Sequence, residues 1–192
     1  ITAGLVSLDV GLGSDKVAVI RALAERVVRE GRATDSEALF SDAWAREQKD
    51  ETGLPGGIAI PHAKSAAVTQ PSLAFARLAP GVDFGADDGP ADLVFLIAAP
   101  ADAAEDHLAV LSKLARSLMD DGFTSALRSA GTGDEVVAIV REAIGESGVA
   151  RAAAASAPAR PEDIEAARTR IVAVTACATG IAHTFMAADA LT

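Results

Sequence analysis

Histidine and cysteine are the side chains best able to act as nucleophiles near neutral pH. This sequence has three histidines, His62, His107 and His183, and one cysteine, Cys177. Neutral imidazole carries a lone pair and titrates near physiological pH, so it can accept a phosphoryl group and pass it on. Pro61 fixes the backbone before His62, and small Ala63 and cationic Lys64 follow it. The ring is therefore expected to be held, yet partly open to a partner. His107 precedes an apolar helical run that begins at Leu108, where it either lines the same pocket or caps and solvates that helix. Arg46 ends another helical run, and either clamps phosphate oxygens with its planar fork or is an ordinary solvated arginine.

Cys177 follows the β-branched run Ile171 to Ala176 and precedes Ala178, Thr179, Gly180, Ile181, Ala182, His183 and Thr184, after which a helix starts at Phe185. Strand, cysteine, loop and helix in that order aim backbone N–H groups and the positive helix end at one point. Such a loop suits an anion and favours the thiolate. A buried, inert cysteine is the alternative that the pattern leaves open.

These residues need elements to position them. Val17, Ile20, Leu23, Ala24, Val27 and Val28 share one face at helical spacing, with Ser14 as a cap and Gly31 as a stop. Thr34 and Glu37 have capping-box spacing ahead of Leu39, Phe40 and Trp44, which predicts a second helix to about Arg46. Gly53, Pro55, Gly56 and Gly57 break it. Gly57 to Ile60 reads as a short strand that Pro61 stops, placing His62 at a strand end. Ser72 to Leu78, between Pro71 and Pro80, reads as another strand. The nearly continuous apolar run Leu93 to Ala98 suits a central strand buried on both faces. Helical spacing returns over 105–119 and 134–144. The pattern predicts an α/β fold, a small mixed sheet flanked by helices on both faces, over residues 1–146. An Ala- and Pro-rich linker over 147–169 then leads to a second, truncated α/β unit at 170–192.

Composition excludes several function classes. With 17 basic and 27 acidic residues the net charge is −10, and no basic cluster is interleaved with aromatic residues, so no nucleic-acid partner is expected. The apolar runs fall short of the roughly 20 residues that span a bilayer, and no secretory leader is read from Ile1 onward. One cysteine permits no internal disulfide, which fits a reducing, cytoplasmic compartment. The sequence reads as a fragment of a longer protein.

The segment Gly57-Ile58-Ala59-Ile60-Pro61-His62-Ala63-Lys64 resembles the phosphorylation motif of fructose/mannitol-type IIA domains of the bacterial phosphotransferase system. Its flanks match in order: Arg46-Glu47 upstream, Asp83-Phe84-Gly85-Ala86-Asp87-Asp88-Gly89 before the central strand, and His107-Leu108-Ala109-Val110-Leu111 at a helix start. The resemblance implies that His62 is phosphorylated, that His107 lies beside it and that Arg46 stabilises the phosphoryl group. Residues 171–188 are similar to the opening of a fructose-type IIB domain, whose cysteine, here Cys177, takes the group next. That family usually has proline after the cysteine. Ala178 stands here instead, leaving the loop looser with one more donor.

Together the motifs imply a relay from phospho-HPr to His62, to Cys177, and on to fructose in a membrane IIC domain. The cytoplasmic domains would then work at the inner face of the membrane. Each transfer needs positioning and charge stabilisation, and no metal or organic cofactor is expected. A complete IIB fold would need residues past Thr192, so the end segment is expected to be loosely held and Cys177 not to be phosphorylated within these 192 residues. Two other readings compete. One is a regulatory module, since related IIA domains act as phosphorylation-dependent signals. The other is a metal site of His62, His107, His183 and Cys177, whose separations lack close ligand pairing.

Overall fold

A computed structural model describes residues 1–102, 113–114 and 116–144. Its elements begin with a 3-10 turn, Ala3–Leu5, and strand β1, Val6–Leu8, and continue with helices α1, Lys16–Arg29, and α2, Ser36–Glu47. Strands β2, Gly53–Leu54, β3, Ile58–Ala59, β4, His62–Ser65, β5, Ser72–Val82, and β6, Ala91–Pro100, follow, and helices α3, Asp121–Ser129, and α4, Gly133–Ile144, close the described part.

The alternating side chains of the two long strands explain the layers. In β5 and β6, Ala74, Ala76, Val94, Leu96 and Ala98 join one buried cluster with Ile20, Leu23 and Val27 of α1 and Leu39, Phe40 and Ala43 of α2. Their neighbours Leu73, Phe75, Leu93, Phe95 and Ile97 point the other way, into a second cluster with Leu114, Leu118, Leu127 of α3 and Val136, Val140 and Ile144 of α4. Helices therefore cover both faces. Each fully buried Leu or Phe contributes about 1.5–3 kcal/mol of transfer free energy. The six-stranded sheet runs β1-β5-β6-β3-β2, with β4 also paired to β6. It is mixed: β1 pairs parallel with β5, β5 antiparallel with β6, and β3 and β4 parallel with β6.

Several boundaries differ from the sequence expectation, each for a local reason. Asp15, not Ser14, caps α1, its carboxylate accepting the Ala18 N–H at 2.8 Å. Asp35, not Thr34, caps α2 through the N–H groups of Glu37 and Ala38. The Thr34 hydroxyl donates to the Ala67 carbonyl instead. A charged acceptor next to the first turn outcompetes the hydroxyl one residue earlier. Gly31 does end α1, at φ +69.

Pro61 interrupts the edge without ending it. β3 and β4 both lie along β6, Ile58 opposite Leu93 and His62 opposite Ile97. Proline lacks an N–H but keeps its carbonyl, and that of Pro61 accepts the Ile97 N–H at 3.0 Å. His62 thus opens a strand rather than following one. Pro80 does not bound β5 either, because the ladder skips between Arg77 and Val82 and needs no N–H there. The helix expected over 105–119 falls mostly outside the described residues, although Lys113, Leu114, Arg116 and Ser117 are helical.

Candidate functional site

His62 owes its setting to main-chain geometry. As the first residue of β4 it is half-buried, between buried Pro61 and Ala63. Its Nδ1 lies 3.1 Å from the Ile60 carbonyl oxygen. An oxygen of this kind can only accept, so Nδ1 carries the proton and donates. The lone pair of the neutral ring is then left on Nε2, the nitrogen free to attack an electrophile.

Two cavities meet at this ring. One, of about 330 Å³, has apolar walls from Leu54, Ile60, Ile97 and Leu114, with Arg46, Glu51 and Thr52 adding polar groups. The other, of about 440 Å³, is lined by Asp42, Ala45, Lys49, Ala63 and Lys64. Arg46 and His62 line both. Apolar walls lower the local dielectric, so a charged group brought to His62 interacts more strongly with a nearby cation than it would in water.

Arg46 and Glu47, adjacent at the end of α2, lie on different faces because consecutive helical residues are about 100° apart. Arg46 turns outward, with its guanidinium on the Asp50 carbonyl at 3.1 Å and the Asp50 carboxylate at 3.3 Å. Glu47 turns inward and is 1% exposed. Its carboxylate accepts the Thr52 N–H at 3.2 Å and the Thr52 hydroxyl at 2.6 Å, with Lys16 Nζ 3.6 Å away. Burial works against the Lys16 charge, but its hydrogen bond to Glu51 and the charges of Glu47 and Glu51 outweigh that and raise its pKa above the ordinary lysine value.

The glycine-rich turn before β3 is clamped from two sides. Asp88 accepts the Gly56 N–H at 2.7 Å, and Arg128, held by both oxygens of Asp92, donates to the Gly56 carbonyl at 2.5 Å. Gly57 sits at φ +73, and a Cβ there would meet the Asp92 carboxylate at 2.7 Å, so no other residue fits without rearrangement. Asp88, from the acidic stretch 83–89, therefore helps to hold the turn that leads into β3, the strand just before the one that His62 opens.

Of the residues singled out from sequence, His62 and Arg46 come together around one opening. His107, Cys177 and the loop Ala178, Thr179, Gly180, Ile181, Ala182, His183 and Thr184 lie outside the described residues. Sequence reasoning assigned no role to Glu47 or Thr52. A readable signal existed for Glu47: it is four and eight residues on from the buried Ala43 and Leu39, hence on the inner face of α2.

Comparison with known proteins places this geometry in context. The family model for the phosphoenolpyruvate-dependent sugar phosphotransferase system, EIIA 2, matches residues 1–143. The chain is 40% identical over 178 residues to the PTS system fructose-specific EIIABC component of Bacillus subtilis, covering 92% of this chain and 27% of that protein. It thus spans about a quarter of that relative's length. It is 42% identical over 130 residues to the PTS system fructose-specific EIIA component of Haloferax volcanii, covering 67% of this chain and 84% of that one. Among solved structures, Nitrogen Regulatory Protein IIA-Ntr from Neisseria meningitidis superimposes with a TM-score of 0.66 at 34% identity, over 72% of this chain and 94% of that chain.

Proposed function

The chain belongs to the EIIA 2 family of the phosphoenolpyruvate-dependent sugar phosphotransferase system, and from that premise we propose that His62 is the residue that carries the phosphoryl group. The observation that supports this most is the His62 Nδ1 contact to the Ile60 carbonyl, which presents a nucleophilic Nε2 beside Arg46. The donor is phosphohistidine on HPr. The Nε2 lone pair of His62 attacks phosphorus, the P–N bond to the donor ring breaks, and its electron pair returns to that ring. Arg46 spreads the negative charge of the moving group, and the resemblance assigns His107 the same role.

Where a complete IIB fold surrounds it, the thiolate of Cys177, in a IIB-type segment that opens at 170–192 after the linker 147–169, takes the group next. From there it goes to fructose bound by a membrane IIC domain, at the inner face of the membrane. The fructose-specific EIIABC relative supports this order, as a single protein whose name joins the A, B and C components. Among the described residues no helix is long and apolar enough to cross a membrane.

A regulatory reading stands beside it, favoured by the likeness to the Neisseria IIA-Ntr structure and by 37% identity over 129 residues to a nitrogen regulatory protein of Pseudomonas aeruginosa. One experiment tests the shared premise and separates the two. The chain is incubated with phosphoenolpyruvate, enzyme I and HPr, and the labelled residue is mapped by mass spectrometry. A single acid-labile, alkali-stable phosphoryl group on His62, lost in His62→Ala, is expected. Label on any other residue would overturn the assignment. Discharge of the label to a fructose-type IIB acceptor is the expected outcome for transport, and its retention in that assay would favour the regulatory reading.

A further inference from the structure

Glu47 is a carboxylate withdrawn from water next to a phosphoryl-transfer site, and the transfer chemistry gives it nothing to do. A buried charge persists only when it is paired and its oxygens are hydrogen-bonded. Lys16 supplies the opposite charge, and both carboxylate oxygens are spent on one residue: Oε1 on the Thr52 N–H and Oε2 on the Thr52 hydroxyl. A neutral amide side chain keeps an acceptor oxygen for the Thr52 N–H but turns an NH2 toward the Thr52 hydroxyl, which would have to accept instead of donate, and it loses the charge paired with Lys16.

Thr52 leads directly to the histidine. Its carbonyl accepts the Ile60 N–H at 3.0 Å, and the Ile60 carbonyl is the group 3.1 Å from His62 Nδ1. We infer that Glu47 is a positioning residue for phosphoryl transfer, acting through Thr52 and the Ile60 peptide to hold His62 in its Nδ1–H form with Nε2 turned to the partner. The inference rests on the reading of His62 as the acceptor. Glu47 touches no reacting atom. It fixes Thr52 from the inner face of α2, Thr52 fixes the main chain of Ile60, and that carbonyl selects the tautomer. The same helix end thereby serves the site twice, with Arg46 facing the moving group and Glu47 facing the scaffold.

The test uses the 192-residue chain and two readouts: the His62 tautomer by long-range 15N–1H NMR, and kcat and KM for phosphoryl uptake from phosphorylated HPr. Thr52→Val keeps the shape of the side chain and removes the hydroxyl donor, whereas Thr52→Ser keeps the donor. Outer groups that orient a functional histidine are typically worth about 10–100-fold. We expect Thr52→Val to raise the Nε2–H fraction and lower kcat about tenfold with KM for the donor little changed. Thr52→Ser should restore both. Glu47→Gln, which reverses the hydrogen bond to the Thr52 hydroxyl and removes the buried charge paired with Lys16, should move both readouts in the same direction.

The parental tautomer in Thr52→Val, a shifted tautomer with an unchanged kcat, or failure of serine to restore both would each overturn the inference. If Glu47→Gln does not fold, the Thr52 pair decides alone. Failure of the underlying reading looks different, because His62→Ala would then still take up phosphoryl whatever the tautomer of the parent.

Discussion

Replacing Arg46 by alanine removes a guanidinium that is only lightly committed in the resting protein. Its contacts are to Asp50 four residues on, one to the carbonyl and one to a carboxylate that is 78% exposed, while Arg46 itself is 35% exposed. An exposed pair at that spacing is worth about 0.3–0.5 kcal/mol. The folded state should therefore lose no more than about 0.5 kcal/mol in Arg46→Ala, a shift within the usual range for surface changes. In transfer the same fork would meet a phosphoryl group with its charge spread over three oxygens, against the apolar walls of Leu54, Ile60 and Ile97. Losing one charge-stabilising contact in a transition state costs about 2–4 kcal/mol, from which the resting Asp50 contact subtracts roughly 0.5 kcal/mol.

The net, about 1.5–3.5 kcal/mol, is a slowing of roughly 10- to 400-fold. Rapid-quench measurement of phosphoryl uptake from phosphorylated HPr, paired with urea unfolding of the same samples, reads both quantities. Asp50→Ala is the control: it removes the competing carboxylate while leaving the guanidinium and its contact to the residue-50 carbonyl in place, so uptake should not slow. Parental uptake by Arg46→Ala, or a slowing that merely follows a fall in the folded fraction, would refute the assignment of charge stabilisation to Arg46.

Two further outcomes concern the scaffold. Phe95 is fully buried with its ring 4.9 Å from that of Phe75, so Phe95→Ala should cost about 3–5 kcal/mol in urea unfolding, a large part of the 5–15 kcal/mol typical of a domain. A cost below about 1.5 kcal/mol would mean that the face under α3 and α4 is not packed as described. Asp9 donates none and accepts twice from Arg77; the hydrogen bond lowers its pKa first, burial opposes, and the Arg77 charge adds to the lowering. A depressed carboxylate pKa contributes stability that is present above its unfolded value and lost as pH falls through the folded one. The urea midpoints of the parent and Asp9→Asn should hence differ at neutral pH and converge at strongly acid pH, and a gap that widens on acidification would contradict the pairing.

Periodicity made the long elements legible. α1, α2 and the centre of β6 each carry enough large apolar residues at one spacing to stand out from their neighbours. Short elements gave no such signal: β1 has three residues with a serine in the middle, and α3 offers only Phe123 and Leu127 as large apolar side chains. Pro61 misled because the rule it obeys concerns a donor, while what continues the edge here is its carbonyl. At the site, residue types and the resemblance pointed to His62 and Arg46, and these do share one opening. The tautomer was beyond reach of the sequence, since the group that selects it is a main-chain oxygen common to every residue. Glu47 went unassigned because glutamate at a helix end usually faces water, and only its phase with Leu39 and Ala43 shows otherwise.

The hydrogen bond from His62 to the carbonyl two residues earlier also bears on how such a site is inherited. Where a histidine is oriented by a second side chain, a single codon change can erase the orientation. A main-chain oxygen survives every substitution at its own position that leaves the backbone path intact. Ile60 is thus free to drift among apolar residues that fit the cavity wall, while constraint moves to the positions that hold that path: Pro61, Thr52, and Gly57 with its partner Asp92. Among diverging descendants of this chain, variation should therefore collect on the walls around the ring, and the turn and the helix end that steer the peptide should change together or not at all.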